Sequence, residues 1–361
     1  MNKPLTLITL LLCSLPLVVN GQTEPTDTVK TIGLDALVET NSPTELTKPN
    51  KQTELAKPSF WWRIGQWVLD YYINKPKEQD DPYYITPRQR WIFSTQLGLT
   101  NSGLGMNHVD ARASMRLQTP TRITQSVTLS FRGLSLTLPI VNIDRTNDRD
   151  FTFAMFGNRF GIETSLRRST SLNGKINHIG TSTVIDMPSG SVSSRDFDFD
   201  AYYAFQSKRF SFPAAYNLSY IQQRSAGSAF LSASIRHVRT TLDSLPIVTS
   251  GDAHIASNLF CIGGGYGHNF VFKNGWMFHF SGLTSISLIT RNRLYIDGYE
   301  QMLHNKFPNT VNTLNLCAVR NGKRWFGGLR FRLHHATYGH SDYIQFTSTR
   351  TQLSFTIGLR I

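Results

Sequence analysis

TSTRTQLSFTIGLRI, residues 347–361, is the stretch from which the rest of this chain can be read. Thr347, Thr349, Thr351, Leu353, Phe355, Ile357, Leu359 and Ile361 fall on one side of an extended strand. Ser348, Arg350, Gln352, Ser354, Thr356, Gly358 and Arg360 fall on the other, because strand side chains alternate faces. A strand with one continuous apolar face and one polar, partly cationic face suits the wall of an outer-membrane barrel, apolar toward lipid and polar toward the lumen.

The same period of two runs through the chain from Trp91. Trp91, Phe93, Leu97 and Leu99 alternate with Ile92, Ser94, Gln96 and Gly98. Val109, Ala111, Ala113, Met115 and Leu117 alternate with His108, Asp110, Arg112, Ser114 and Arg116. An arginine facing lipid costs about 2–4 kcal/mol near the bilayer midplane, so Arg112 and Arg116 are expected to face inward. The apolar parity changes across Arg132-Gly133, as a two-residue hairpin loop or a bulge would make it change. A similar slip near Asn158 falls within one expected strand, residues 151–166. Phe197 to Phe205 and Phe210 to Tyr220 read as two strands around a turn at Gln206 to Arg209. Residues 169–195 are polar and hold at most one weak strand, at Lys175 to Ile185. Asn274-Gly275 and Asn321-Gly322 are strong hairpin signals. The expected fold is all-β: an up-and-down antiparallel transmembrane barrel of 12–14 strands over residues 83–361, preceded by an amphipathic helix.

Ahead of the barrel, residues 1–21 have the form of a secretory signal, with Lys3, an apolar run from Leu5 to Val19 and a small residue at Gly21. Residues 22–58 carry the near-repeat TELTKP and TELAKP and too little apolar surface to fold, so they read as a periplasmic tether. Residues 59–82 hold an aromatic helix and a charged linker. Phe60, Trp61, Trp62, Trp67 and Tyr71 are candidates for the membrane interface, or for packing on the barrel rim or in its mouth.

Of 361 residues, 40% are hydrophobic and only 17% charged, which permits a large folded body. The net charge of +13 is dispersed along alternating segments and accompanies no nucleic-acid motif, so nucleic acid is not an expected partner. Arginines in a lumen or against the phosphates of lipopolysaccharide explain it more simply. Outer-membrane lipids, lipopolysaccharide and the barrel-assembly machinery are the expected partners, and the cell outer membrane the expected location. Beyond the signal only Cys261 and Cys317 remain, too few for a disulfide scaffold.

Five blocks stand out for their aromatic and small residues: YYITP (83–87), FGNRFGIETSLRR (156–168), YYAFQSKRFSFPAAYNLSYIQQRSAGSAFL (202–231), YGHNFVFKNGW (266–276) and RWFGG (324–328). They resemble an uncharacterised family of Gram-negative outer-membrane barrels, domain of unknown function 4421. The resemblance spans about residues 59–361 and implies outer-membrane placement; it implies no activity. The terminal Ile361 departs from the Phe with which such barrels usually end.

Lumen-facing candidates are Arg112, Arg116, Asp198, Asp200, Arg236, Arg330, Arg332 and His334. Charged pairs there could tune ion selectivity or meet across the barrel. His334, His335, His340, Ser341 and Asp342 contain the residue types of a hydrolase, but sequence proximity does not supply the required geometry. No catalytic residue is assigned, and no spacing indicates a metal or cofactor. The glycines of IGGGYG (262–267) fit close backbone packing better than a phosphate loop. The expected role is a pore, transport or structural barrel. The alternatives are an outer-membrane hydrolase acting around residues 334–342 and a soluble periplasmic barrel holding an apolar ligand.

Overall fold

The computed structural model describes residues 83–87, 89, 91–108, 113–131, 133–144, 146–157, 159–178, 183–242, 253–296, 298–303, 308–339 and 344–361, together with Arg63 and Gln66. Arg63 and Gln66 are helical and exposed, and belong to a unit of residues 1–74 distinct from the body that follows. The interface candidates Phe60, Trp61, Trp62, Trp67 and Tyr71 lie outside the described residues, as does Arg112.

In chain order the strands are β1 (Tyr84–Ile85), β2 (Trp91–His108), β3 (Ala113–Gln118), β4 (Arg122–Phe131), β5 (Leu134–Asn142), β6 (Arg149–Phe156), β7 (Phe160–His178) and β8 (Thr183–Ala204). A short helix α1 (Phe212–Tyr216) and β9 (Ile221–Gln222) follow. The remainder comprises β10 (Ala226–Leu242), β11 (Ala253–Val271), β12 (Trp276–Ile296), β13 (Tyr299–Leu303), β14 (Thr310–Asn321), β15 (Trp325–Tyr338) and β16 (Ile344–Arg360). All but β1 and β9 belong to one 14-stranded antiparallel sheet. The β11–β12 and β16–β2 pairings close twelve of its strands into a ring, with β3 and β13 as additions. Closure satisfies the backbone groups that an open edge would expose.

Short hairpins gather on the rim that also carries Trp91 and Ile361, whose backbones bond each other at 3.1 and 2.8 Å. The parity change after Phe131 is a hairpin there, with Phe131 paired to Leu134 and Gly133 at φ 95°. The slip near Asn158 is also a turn: 151–166 is two strands, β6 and β7, paired from Phe156 and Gly161 upward. Both Asn-Gly turns lie on this rim, Asn274 and Gly275 taking φ of 64° and 79°.

Strand length separates the two halves of the barrel. β8 runs 22 residues and β12 runs 21, about twice the 9–11 that cross a bilayer. The polar stretch 169–195, expected to be almost strandless, builds the far halves of β7 and β8. Pro120 breaks the β3–β4 run, and beyond the break β3 bridges β2 and β7 directly, past the shorter β4, β5 and β6. Ten strands therefore surround the far half.

The polarity of the wall inverts between the halves. Near the terminal rim, Phe93, Leu97, Leu129, Leu231, Phe278, Leu329, Leu353 and Phe355 are exposed outward. In the far half Met115 and Leu117 are buried inside with Leu172, Met187 and Val192. This overturns the expectation for Arg116. It is exposed on the outer face, because Met115 and Leu117 share the inward face with their partners Met106 and Leu104. Beyond the apolar belt the outer surface meets water, so the arginine goes out and the apolar side chains go in.

Candidate functional site

Inside the ring the described residues fill three layers. Nearest the terminal rim, residues 205–225 leave the wall and fold into the lumen, while the strands they join, β8 and β10, pair directly with each other. The sequence suggested a strand at 210–220. Instead Ser211 caps α1 by accepting from the Ala214 N–H at 3.2 Å, and Pro213 occupies its first turn, where a missing N–H costs nothing. Phe210, Phe212, Ala215 and Tyr216 pack against Phe156 and Phe230 of the wall. β9 pairs with β1, and Tyr84, Leu218 and Tyr220 join Ile92, Met277, Val319 and Phe326 in a second apolar cluster. This inward segment is a plug.

Polar side chains tie the plug down. The Gln222 amide group donates to the carbonyls of Arg209, Arg224 and Tyr83 at 2.6, 3.0 and 3.2 Å, while its oxygen accepts from Ser211 N and Asn269 Nδ2. Arg330 donates to the carbonyls of Ala215 and Tyr216 at the end of α1. Arg360, only 1% exposed, donates to the carbonyls of Leu218 and Gly322 and to Asn321 Oδ1. Asn217 Nδ2 reaches the Gly133 carbonyl of the first hairpin at 2.9 Å.

Above the plug lies a layer of crossed charges. Arg236 binds Asp198 at 2.9 Å and Asp200 at 3.0 Å, and Arg167 also pairs with Asp198. Arg332 forms a two-pronged pair with Glu163, and Arg350 pairs with Asp150. Asp148, fully buried, accepts from Thr170 and Ser171 and lies 3.7 Å from Arg122. Charges taken from water need partners of this kind, since an unpaired one would cost several kcal/mol. A polar cavity of about 170 Å³ remains between this layer and the plug, lined by residues of both and with room for several waters. The third layer closes the far half with two apolar clusters, one around Leu117 and Leu172 and one around Leu259, Val311 and Phe346.

Residues 78–360 match the model of the domain of unknown function DUF4421. The chain belongs to that family. No curated protein matches it. Among solved structures, the outer membrane protease OmpT of Escherichia coli is 7% identical with a TM-score of 0.36, covering 77% of this chain and 98% of that one. The β domain of the Bordetella autotransporter BrkA is 9% identical with a TM-score of 0.38, covering 74% and 99%. OprG of Pseudomonas aeruginosa is 8% identical with a TM-score of 0.27, covering 76% and 98%. No activity is carried over from likenesses this distant.

In this DUF4421 barrel, Asp198, Asp200, Arg236, Arg330, Arg332 and His334 all line the lumen. Sequence reading did not single out Glu163, Arg167, Asp150 or Arg350, which complete the charge layer, although each sits on the polar parity of its strand. His334 and His335 occupy opposite faces, bonded to Thr313 at 3.1 Å and Thr349 at 2.8 Å. They cannot serve one site. His340, Ser341 and Asp342 lie outside the described residues. Among the described residues no cluster of His, Cys, Asp or Glu could hold a metal.

A different hydroxyl, imidazole and amide do meet. His279 Nδ1 is 2.7 Å from Asn269 Oδ1, and its Nε2 is 3.0 Å from Ser281 Oγ. Asn269 Nδ2 already donates to Ser211 and Gln222, so its oxygen accepts from Nδ1–H, leaving Nε2 to accept from the serine. That is the order of groups in a nucleophile, base and orienter. Ser281 is 2% exposed, however, and is covered by the Tyr216 hydroxyl at 3.1 Å.

Proposed function

We propose that this chain is an outer-membrane barrel with a structural role whose lumen is closed at rest, terminal rim toward the periplasm. One observation carries the reading: an outward apolar belt surrounds an interior that, among the described residues, is filled by the plug, the charge layer and the far apolar clusters. The belt asks for lipid, and the filled interior opposes a standing pore. Short turns on the terminal rim and longer connections on the far rim support the orientation. The Ser281, His279 and Asn269 chain fits this role as a staple holding the plug to β11 and β12, because no acyl group can reach Ser281 while Tyr216 covers it.

The test is fractionation of cells expressing the chain, gel mobility with and without boiling, and planar-bilayer recording of the purified protein. An outer-membrane product that shifts on boiling and shows no steady conductance is expected. A soluble periplasmic product overturns the membrane reading, and a stable open conductance overturns the closed lumen. Hydrolysis is a second reading, favoured by the Ser281 geometry alone. Lipid or peptide turnover that disappears in Ser281→Ala while the gel shift persists would establish it.

A further inference from the structure

The outer wall carries a row of arginines at the edge of its apolar belt. Arg149 of β6 pairs in register with Arg168 of β7, Arg168 with Arg195 of β8, and Arg195 with Arg239 of β10. Register partners share a face, and Arg149, Arg195 and Arg239 are exposed, so this face is the outer one. The row extends about 14 Å across three strand spacings of ~4.8 Å. Like charges directly opposite on neighbouring strands repel, and here three such pairs stand in succession. None of the four has a carboxylate partner among the described residues. The nearby Asp150 and Asp196 turn inward, to Arg350 and Arg167. Among the described residues the row therefore lacks counter-ions.

Directly beneath it the surface becomes apolar and concave. Phe151, Leu166 and Phe197 form the next outward row, again partnered strand to strand, and with Arg149, Arg168 and Arg195 they line a groove of about 460 Å³. The apolar belt continues below through Phe153 and Phe199 to Phe160 and Tyr203. From Phe160 to Arg168 the strand advances about 26 Å at ~3.3 Å per residue. At a tilt of about 40° that is roughly 20 Å of belt, close to the height of a barrel's lipid-facing band. The arginines thus stand where headgroups begin, and the groove runs down where acyl chains lie.

We infer that Arg149, Arg168, Arg195 and Arg239, with the groove over Phe151, Leu166 and Phe197, bind a phosphate-bearing lipid of the leaflet at the far rim. In the orientation proposed above that lipid is a phosphorylated glycolipid of the lipopolysaccharide type. Guanidinium groups suit phosphate through paired N–H donors, and the counter-ion relieves the repulsion along the row. The inference rests on the membrane reading, and the experiment separates the two. The full chain is reconstituted in nanodiscs of phosphatidylcholine, its folding is verified by heat-modifiable mobility, and it is titrated with bisphosphorylated lipid A and with dephosphorylated lipid A. Wild type is expected to prefer the phosphorylated form at least tenfold. Arg168→Gln with Arg195→Gln is expected to abolish that preference while leaving insertion intact, and Arg168→Lys with Arg195→Lys to keep part of it. A chain that does not insert overturns the membrane reading. A chain that inserts but binds both lipids equally, or whose preference survives the glutamine changes, overturns the lipid site alone.

Discussion

Arg332 and Glu163 meet across the lumen, far apart in sequence, and their two-pronged contact is one of the ties that span the charge layer. Removing one member leaves the other charged group without its main partner in a partly enclosed site. Arg332→Ala is therefore expected to destabilise the barrel by about 3 kcal/mol, at the lower end for a broken buried pair because Arg332 is a quarter exposed. Arg332→Met combined with Glu163→Leu, which removes both charges, is expected to recover most of that loss. The midpoint of urea unfolding in detergent, followed by gel mobility, measures both. A double variant as unstable as the single would show that the pair acts through its neighbours Asn315 and Asp200 and not as a pair.

At the scale of elements, the inverted polarity of the wall gives opposite rules for substitution in its two halves. Leu353 faces outward beside its partners Phe331 and Leu99 in the belt. Leu353→Arg is expected to cost about 2–4 kcal/mol in a bilayer. Arg116→Ala, on β3 beyond the belt, is expected to change stability by less than about 0.5 kcal/mol. Equal effects in urea titrations of vesicle-embedded protein would mean that the belt and the far half see the same solvent. Alternation made the belt halves of β2 and β16 legible, since there each has one apolar and one polar face. It misled at Arg116, because parity tells which residues share a face but not which solvent that face meets. It misled again at Phe210 to Tyr220, where an apolar or aromatic side chain on every second residue imitates a strand. The contrary signal was Pro213 two residues after Ser211, unsuited to a central strand and well suited to a helix's first turn. Leu218 at φ 60° has no local reason to adopt that conformation and does so within the packed cluster.

For the molecule as a whole, sequence conveyed the closed wall but not what fills it. Wall strands repeat a simple rule, whereas the plug and the crossed ion pairs depend on which residues the ring brings face to face across its lumen. Glu163 and Arg332, or Asp150 and Arg350, have nothing in their neighbourhoods to announce each other. Nor could strand counting alone expose the plug: the expected 12–14 includes the twelve of the ring, but one expected strand was the plug and another was the β6–β7 hairpin. Two thiols make the filled interior measurable. Cys317 lies in the plug-side apolar cluster and Cys261 in the far one, and both are free and buried. Neither is expected to react with a membrane-impermeant maleimide in the folded protein, and both are expected to react in urea. Gln222→Ala removes the hydrogen bonds that bind the plug to itself, to Tyr83 and to Asn269. It is expected to raise labelling of Cys317 severalfold and leave Cys261 protected, because the far clusters do not touch the plug. Labelling of both thiols in folded wild type would mean that water reaches through the barrel from end to end. Labelling of both only in the variant would mean that plug and far clusters open together, as one cooperative core.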